Sequence, residues 1–407
     1  MESAQVGDVV GPVEVDRVAH GGHCVARLDG RVVFVRHTLP GEVVMVRLTD
    51  VSKARLWRGD AVEVIVAGRD RVLPRCDVAR PGGCGGCDWQ HVGLAAQREL
   101  KRAVVAEQLR RLAGLEWDGV VEPPGPAGVG RSGDASHTDD DGYGWRTRMR
   151  YVVAGHSRDR EPLLGMRAHR SHAVVRLPAE GCAISATPPP SLPPESWEDA
   201  DAGEVVVAGA DGDLSVVAGG KVVAGPRLRT EHAAGRRWSV AADDFWQVHP
   251  AAADTLVAAV LAGLEPRPGE RALDLYCGVG LFAGALADRG VAVHGVESWG
   301  RAVDLARANV PEASFAAAAV DRYLARHRAR TDLVVLDPPR TGAGAAVVAG
   351  VARLRPRAIA YVACDPASLA RDLATFASHG YGRADIRAFD LFPMTHHVEC
   401  VAVLQAD

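Results

Sequence analysis

Asp274-Leu-Tyr-Cys-Gly-Val-Gly-Leu-Phe282 follows a short apolar stretch and precedes an Ala-rich one. Read as strand, turn and helix, it puts Gly278 and Gly280 where the chain must turn sharply and a ligand must approach the backbone. Nucleotide-type cofactors are seated this way at the carboxyl end of a strand. It is not the dinucleotide G-x-G-x-x-G fingerprint, because the third position after Gly280 is Ala283. About 20 residues further on, the next apolar stretch ends in Gly295-Val-Glu297, where a carboxylate can accept both hydroxyls of a ribose. Working outward, short apolar strands are expected at Arg271–Tyr276, Ala292–Val296, Leu333–Leu336, Ala358–Val362 and Glu399–Leu404. Ala-rich helical stretches alternate with them, which predicts an α/β, doubly wound, Rossmann-like sheet.

Upstream the pattern differs. Residues 1–66 alternate valines with polar residues between turns at Gly21-Gly22, Asp29-Gly30 and Pro40-Gly41, as a five-strand, OB-like β-barrel requires. Residues 92–113 follow a helical period through Leu94, Leu100, Val104, Leu109 and Leu112, and short strands predominate over 143–228. Two Pro/Gly/Asp-rich stretches, Val121 to Gly142 and Ser185 to Glu204, read as linkers or insertions. Three domains are therefore expected: a barrel over 1–66, a central α+β domain over 67–240, and the doubly wound sheet over 241–407.

The 407 residues are 47% hydrophobic and 24% charged, values of an ordinary globular chain that exclude wholesale disorder. No apolar run is long enough for a spanning helix. The first residues carry no basic-then-apolar leader, so the cytoplasm is the expected compartment. A net charge of −4 does not advertise a nucleic-acid partner, but the charge is uneven. Residues 142–178 hold eight Arg against one Asp and one Glu, an excess of +6. Residues 67–112 hold nine Lys or Arg against five acids, an excess of +4. Eight Cys in a reducing compartment are read as free, catalytic or metal-bound.

Three further segments fall at the ends of later strands, where this architecture concentrates chemistry: Leu336-Asp-Pro-Pro-Arg-Thr-Gly342, Tyr361-Val-Ala-Cys-Asp-Pro-Ala-Ser-Leu-Ala-Arg-Asp372, and Asp390-Leu-Phe-Pro-Met-Thr-His-His-Val-Glu399. A Cys just after a buried strand and before a Pro can stand exposed at the sheet edge near a helix N-terminus, a setting that favours thiolate. An acid opening an apolar strand, as Glu399 does, needs a partner or a task.

The glycine turn with its downstream acid resembles motifs one and two of class I S-adenosylmethionine-dependent methyltransferases. Phe245-Trp-Gln-Val, Asp337-Pro-Pro-Arg, Tyr361-Val-x-Cys and Phe392-Pro-x-Thr-x-His-x-Glu399 make the chain resemble the RNA 5-methyluridine methyltransferase family. Trp145-Arg-Thr-Arg-Met-Arg and Leu164-Gly-Met-Arg are similar to its central domain. The resemblance implies methyl transfer from S-adenosylmethionine to carbon 5 of a uridine in structured RNA. Ribosomal 23S RNA is favoured over transfer RNA because the barrel and a cysteine motif accompany the ribosomal branch. It implies that Cys364 is the nucleophile and Glu399 the general base. Gln247, Tyr276, Gly278, Gly280, Glu297 and Asp337 are expected to hold the cofactor, with Arg340 and Arg146 facing the RNA. The chain departs from the family at His249 and Asp365, where Asn is common, and at Leu281, where a polar residue often touches the cofactor. The competing reading is a non-catalytic RNA-binding protein on a methyltransferase fold, against which the intact Cys364 and Glu399 stand.

Cys76, Cys84 and Cys87 form C-x7-C-x2-C, and Cys182 is the best fourth candidate. Four thiolates suit either zinc or a 4Fe–4S cluster, and spacing does not separate them. Gly-Gly-Cys84-Gly-Gly-Cys-x-x-Gln-His resembles the cluster motif of the ribosomal branch and implies iron. The barrel resembles a TRAM domain, an RNA-binding module. A monomer without a membrane partner is expected.

Overall fold

The computed structural model describes residues 4–125, 141–154, 163–190, 192, 204–210 and 213–406. Most of the two stretches read as linkers lies outside the described residues. Contacts divide the chain into two units, Met1–Val104 with His137–Ala224 and Phe392–His397, and Val105–Ser136 with Gly225–Leu391 and Val398–Asp407.

The first unit begins with β1 (Val9–Ala19), β2 (His23–Leu28), β3 (Arg31–Arg36), β4 (Val43–Lys53) and β5 (Leu56–Val66), which close into a barrel in the order β1-β2-β3-β5-β4. The valine alternation sets its inside: Val44, Val46 and Leu48 of β4 are buried, with Val13, Val15, Val33 and Val35 of the neighbouring strands. Gly59 is required in β5, since a Cβ there would lie 2.4 Å from Val46 Cγ1 and 2.6 Å from the Arg47 carbonyl. The barrel also buries one acid. Glu42 accepts from Arg71 Nε and Nη2, both at 2.6 Å, and from the Leu39 and Gly68 N–H groups at 2.8 and 3.0 Å.

α1 (Leu94–Ala113) crosses the division between the units, and a two-residue strand β6 (Val121–Glu122) belongs to the second. The first unit resumes with β7 (Arg148–Ala154), β8 (Leu163–Arg167), β9 (Val174–Arg176), β10 (Glu204–Ala210), β11 (Asp213–Ala218) and β12 (Lys221–Ala224). They form an antiparallel sheet ordered β12-β11-β10-β7-β8-β9 over a small core of Met149, Tyr151, Val153, Val207, Val216 and Ala218.

The cysteine expectation is overturned here. Among the described residues, no group of three or more His, Cys, Asp or Glu side chains is placed to hold a metal ion. Cys76, Cys84, Cys87 and Cys182 are free and line a cavity of about 30 Å³ that they share with Val78, Ala79, Met149, Met166, Leu177 and Ile184. That space takes about one water molecule, not four irons. Burial pushes the Cys84 thiol up to about 11 and raises Cys87 and Cys182 as well. A protonated thiol in an apolar cavity packs as a small hydrophobe.

The second unit adds β13 (Leu228–Ala233) and β14 (Arg236–Ala241), a hairpin, then α2 (Ala252–Leu264), β15 (Arg271–Leu275), α3 (Leu281–Ala287), β16 (Ala292–Glu297) and α4 (Gly300–Asn309). It continues with β17 (Ser314–Ala317), α5 (Val320–Arg326), β18 (Leu333–Leu336), α6 (Ala345–Leu354) and β19 (Ala358–Ala363). It ends with α7 (Pro366–Ala377), β20 (Arg383–Phe389) and β21 (Glu399–Gln405). The sheet order is β17-β16-β15-β18-β19-β21-β20-β6. The five strands from β17 to β19 are parallel, and β21 runs antiparallel to both β19 and β20. Helices cover both faces. Leu273, Leu336, Tyr361 and Ala402 share a core with Val348 of α6 and Leu373 of α7. On the opposite face, Gly263 of α2 has room only for hydrogen, 2.2 Å from Val403 Cγ2 to an added Cβ. This is the doubly wound sheet expected. Strand order reverses between β15 and β18, which places a crevice at their carboxyl ends. No described helix is long and apolar enough to cross a membrane.

Candidate active site

The turn after β15 is built for a ligand. Tyr276, Gly278 and Gly280 all adopt positive φ, at 63°, 51° and 96°. A tyrosine in that region is held there by its surroundings, and such positions gather at ligand clamps. The Tyr276 N–H donates to the Val296 carbonyl at 2.9 Å and the Gly278 N–H to Glu297 Oε2 at 3.3 Å, tying the turn to the end of β16. Glu297 Oε1 accepts from the Trp299 N–H at 2.9 Å, so the carboxylate is fixed in place. A Cβ on Gly278 would meet nothing within 4 Å, so the turn borders open space. Gly280 caps α3 without a side chain, and the fully buried Asp274 supplies the missing acceptor, taking the Ala283 N–H at 2.8 Å. Burial pushes Asp274 up to about 7. These features fit a nucleoside cofactor: a backbone cradle, a fixed ribose acceptor and space beside the glycine.

The loop carrying Gln247 joins β14 to α2. Gln247 is nine-tenths buried, whereas Phe245 is 71% exposed. Arg301 of α4 pairs with both Asp243 and Asp244, which anchors this loop. Asn309 of the same helix donates to the Val279 carbonyl at 3.2 Å and the Ser239 carbonyl at 3.1 Å, joining the cofactor turn to β14. The departure at His249 has a structural role, since its Nδ1 accepts the Ala251 N–H at 3.1 Å where α2 begins. Leu281, the third departure, is buried as the first residue of α3.

The second half of the site lies one strand beyond. Ala363, the last residue of β19, pairs with Cys400 of β21, so Cys364 leaves the strand beside Glu399. Ala363 and Cys400 point into the α6–α7 core. By alternation, Cys364 and Glu399 face the other way. Glu399 is buried and Cys364 half-buried. Burial first, then the Glu399 carboxylate, push the Cys364 thiol up to about 12, while Arg340 pulls it down. Burial and then Asp337 raise Glu399 well above the usual carboxylate range, again opposed by Arg340. Asp337 itself is pushed up to about 7 by burial. Four predicted residues, Cys364, Glu399, Asp337 and Arg340, therefore share one electrostatic neighbourhood. Arg146 belongs to the first unit, where its Nε donates to the Arg148 carbonyl at 3.1 Å and its side chain lines the cysteine cavity.

One positioning residue escaped the sequence reading. Asp372, inside α7, accepts from Tyr361 Oη at 2.6 Å, the Ala343 N–H at 2.7 Å and the Gly344 N–H at 3.2 Å. It fixes the loop that follows Asp337 and Arg340. A Cβ on Gly342 would lie 2.7 Å from its Oδ2, so this loop needs a glycine there. The only signal was an acid within an otherwise apolar helical face.

Known proteins can now be set beside this geometry. The TRAM domain family matches residues 4–67, the methyltransferase small domain family 251–361, and the tRNA (Uracil-5-)-methyltransferase family 321–407, the stretch that carries Cys364 and Glu399. An RNA methyltransferase of Streptomyces avermitilis is 46% identical over 97% of each chain. A 23S rRNA (uracil(1939)-C(5))-methyltransferase of Shewanella sp. (strain ANA-3) is 30% identical, with 96% of this chain and 94% of that one covered. The chain belongs to the RNA 5-methyluridine methyltransferase family.

As a member, it is an S-adenosylmethionine-dependent methyltransferase acting at carbon 5 of uridine in RNA. The family's fold spans the whole chain. The tRNA (uracil-54, C5)-methyltransferase of Pyrococcus abyssi superposes with a TM-score of 0.68 at 24% identity, covering 97% of this chain and 99% of that one. The barrel, expected to resemble a TRAM domain, is one.

Proposed function

We propose that this methyltransferase works as a monomer through a covalent Cys364–uracil adduct. The observation that carries this reading is that the Ala363–Cys400 pairing brings Cys364 beside Glu399, within electrostatic reach of Asp337 and Arg340. Carbon 5 of uracil is a poor nucleophile until its electron density is raised. The Cys364 thiolate adds to carbon 6, forming the S–C6 bond and moving the ring electrons toward carbon 5 and the carbon 4 oxygen. Arg340, by lowering the pKa of Cys364, favours the thiolate this step needs. Gln247, Tyr276, Gly278, Gly280, Glu297 and Asp337 would hold S-adenosylmethionine, whose sulfonium would give its methyl group to carbon 5 and leave as the neutral thioether. Glu399 then takes the carbon 5 proton, the C5–C6 double bond re-forms, and the S–C6 bond breaks to return the Cys364 thiolate. The raised affinity of Glu399 for a proton suits it to that abstraction. A target inside folded RNA is flipped out to reach Cys364.

Transfer RNA is the first candidate substrate, supported by the description of the family that matches 321–407. The 23S rRNA expected from the sequence is the second reading, supported by the full-length relatives from Shewanella. Nucleoside mass spectrometry of both RNAs from a strain lacking the gene decides between them. Loss of 5-methyluridine from transfer RNA supports the first reading, loss from 23S rRNA the second, and loss from neither overturns both. The division into 1–66, 67–240 and 241–407 is proposed as barrel, RNA-holding domain and catalytic sheet, with the cytoplasm as the compartment.

A further inference from the structure

Glu399 opens β21 just after a short strap, Phe392–His397, whose contacts place it in the first unit although the chain on both sides belongs to the second. Only Val398 separates the strap from the proposed base. The first unit grips the strap with groups that the methyl-transfer steps do not use. Lys101 and Gln97 of α1 are both fully buried. Lys101 Nζ donates to the Phe392 carbonyl at 3.0 Å. Gln97 Oε1 accepts the Met394 N–H at 2.8 Å, and its Nε2 donates to the Trp89 and Val92 carbonyls at 3.2 and 2.9 Å. The Met394 carbonyl in turn accepts the Trp89 N–H at 3.1 Å. Met394 is held at φ 65°, a conformation that persists in such a residue only where its surroundings over-determine it.

His396 closes the grip. Its Nδ1 lies 2.5 Å from Asp88 Oδ2, and its backbone N–H donates to the same oxygen at 3.3 Å. A carboxylate only accepts, so Nδ1 carries a proton. Asp88 Oδ1 accepts from Arg36 Nη2 at 3.3 Å. Asp88 and Arg36 are buried, and the His396 side chain is 26% exposed. Burial alone would raise Asp88, but His396 first and then Arg36 hold its carboxyl well below the usual carboxylate range. The pair packs against the Gly21-Gly22 turn, where a Cβ on Gly22 would lie 3.0 Å from both Asp88 Cγ and His396 Cβ. The family pattern quoted for this segment leaves position 396 open, and no step of the reaction accounts for a buried carboxylate bonded to it.

We propose that His396, bonded to Asp88, is a positioning residue for proton abstraction: it fixes the strap from which the chain enters β21 at Glu399. The inference rests on the role proposed above for Glu399. A base must come within hydrogen-bond reach of the proton it takes, and a displacement of about 1 Å costs about 100-fold in rate. The strap carries neither Cys364 nor a proposed cofactor residue. Its loosening therefore slows the step in which Glu399 takes the carbon 5 proton, the C5–C6 double bond re-forms and the S–C6 bond breaks. The methylated Cys364 adduct accumulates before that step.

The test compares full-length wild type, His396→Ala, His396→Gln and His396→Asn on RNA whose uridines carry hydrogen or deuterium at carbon 5. The Asn amide nitrogen stands as many bonds from Cα as His Nδ1 and can donate to Asp88. The Gln amide keeps the bulk of the ring but stands one bond too far, so this variant reads the lost bond even where His396→Ala folds poorly. His396→Ala and His396→Gln are expected to lower kcat about 10- to 100-fold with KM for RNA little changed. Both should raise the deuterium isotope effect on kcat and accumulate the denaturant-stable protein–RNA species on ordinary uridine. His396→Asn should return all three readouts toward wild type. A fall in kcat with the isotope effect unchanged overturns the proposal, as does wild-type kcat in both His396→Ala and His396→Gln. Wild type that methylates uridine yet gives no adduct with 5-fluorouridine RNA overturns the covalent reading alone. The isotope effect then still judges His396, because the carbon 5 proton must leave by any route.

Discussion

Cys364 directly follows the last residue of β19 and Glu399 opens β21, so the Ala363–Cys400 pair brings the two side by side. The two strands are antiparallel neighbours, so the side chains of directly opposed residues leave the same face of the sheet. The proposed nucleophile and base are thereby brought together by the pairing of two neighbouring strands. The same proximity has an electrostatic consequence, because the Glu399 carboxylate opposes ionisation of the Cys364 thiol.

The first prediction concerns that ionisation. Burial and Glu399 hold the Cys364 thiol up at about 12, Arg340 lowers it, and Asp365 adds a smaller upward push. The reactive species is the thiolate, so kcat/KM rises with pH across the neutral range. Asp365→Asn removes a negative charge, lowers the thiol pKa and moves the rising limb to lower pH. Arg340→Gln removes a positive charge and moves it to higher pH. Each change is expected to be about two- to ten-fold in kcat/KM at neutral pH, the effect of one partly screened charge. Asp365 caps α7 by accepting the Ser368 N–H at 2.7 Å, and Asn caps equally well, so thermal stability should not move. Superimposable pH profiles for the three proteins would contradict the argument.

Asp372 provides the second. Asp372→Ala leaves the Gly344 N–H and Tyr361 Oη without their acceptor and the Ala343 N–H with only Tyr361 Oη, at a cost of about 2–4 kcal/mol in chemical denaturation. The loop bearing Asp337 and Arg340 loses its anchor, and kcat should fall about 100-fold. Asp372→Asn retains one acceptor oxygen and is expected to recover part of both. Full activity in the alanine variant would show that the loop is held by other means.

A third test lies in the barrel. Burial alone would raise Glu42, but Arg71 and the Gly68 and Leu39 N–H groups overcome it and hold the carboxyl down at about 2. Its folded pKa is below its unfolded one, so its stabilising contribution is complete above the ordinary carboxylate range. It is lost as pH falls toward about 2. Glu42→Ala should cost about 3–5 kcal/mol near neutral pH by stranding Arg71, with the gap to wild type narrowing below pH ~4. A gap independent of pH would point to packing rather than the ion pair.

Much of this was legible in the sequence, for reasons that can be named. The glycine turn and Glu297 carry their geometry in residue type, since positive φ at Gly278 and Gly280 leaves little choice. Valine alternation likewise encodes the barrel's interior. Cys364 and Glu399 were found as separate signals at strand ends; their pairing depends on a register between strands with α7 and β20 intervening, which local pattern does not encode. Asp372 was quoted but given no role, because its acceptors' partners come from a distant loop. The four cysteines misled for a similar reason. C-x2-C spacing is compatible with a metal knuckle, but a cavity of about 30 Å³ and its apolar lining are properties of packing. Asp365, read in the sequence only as a departure from the family, is a helix cap whose charge falls on Cys364.

Intact-mass and denaturing-gel analysis of the enzyme with S-adenosylmethionine and RNA containing 5-fluorouridine tests the covalent adduct. Fluorine at carbon 5 leaves Glu399 no proton to remove, so the S–C6 bond cannot break. A denaturant-stable protein–RNA species is expected in the wild type and is lost in Cys364→Ala. With ordinary uridine, Glu399→Gln should accumulate the same species while turnover falls by about 100- to 10,000-fold. Wild-type enzyme that methylates uridine yet gives no adduct with the fluorinated RNA, or an undiminished adduct in Cys364→Ala, would contradict it.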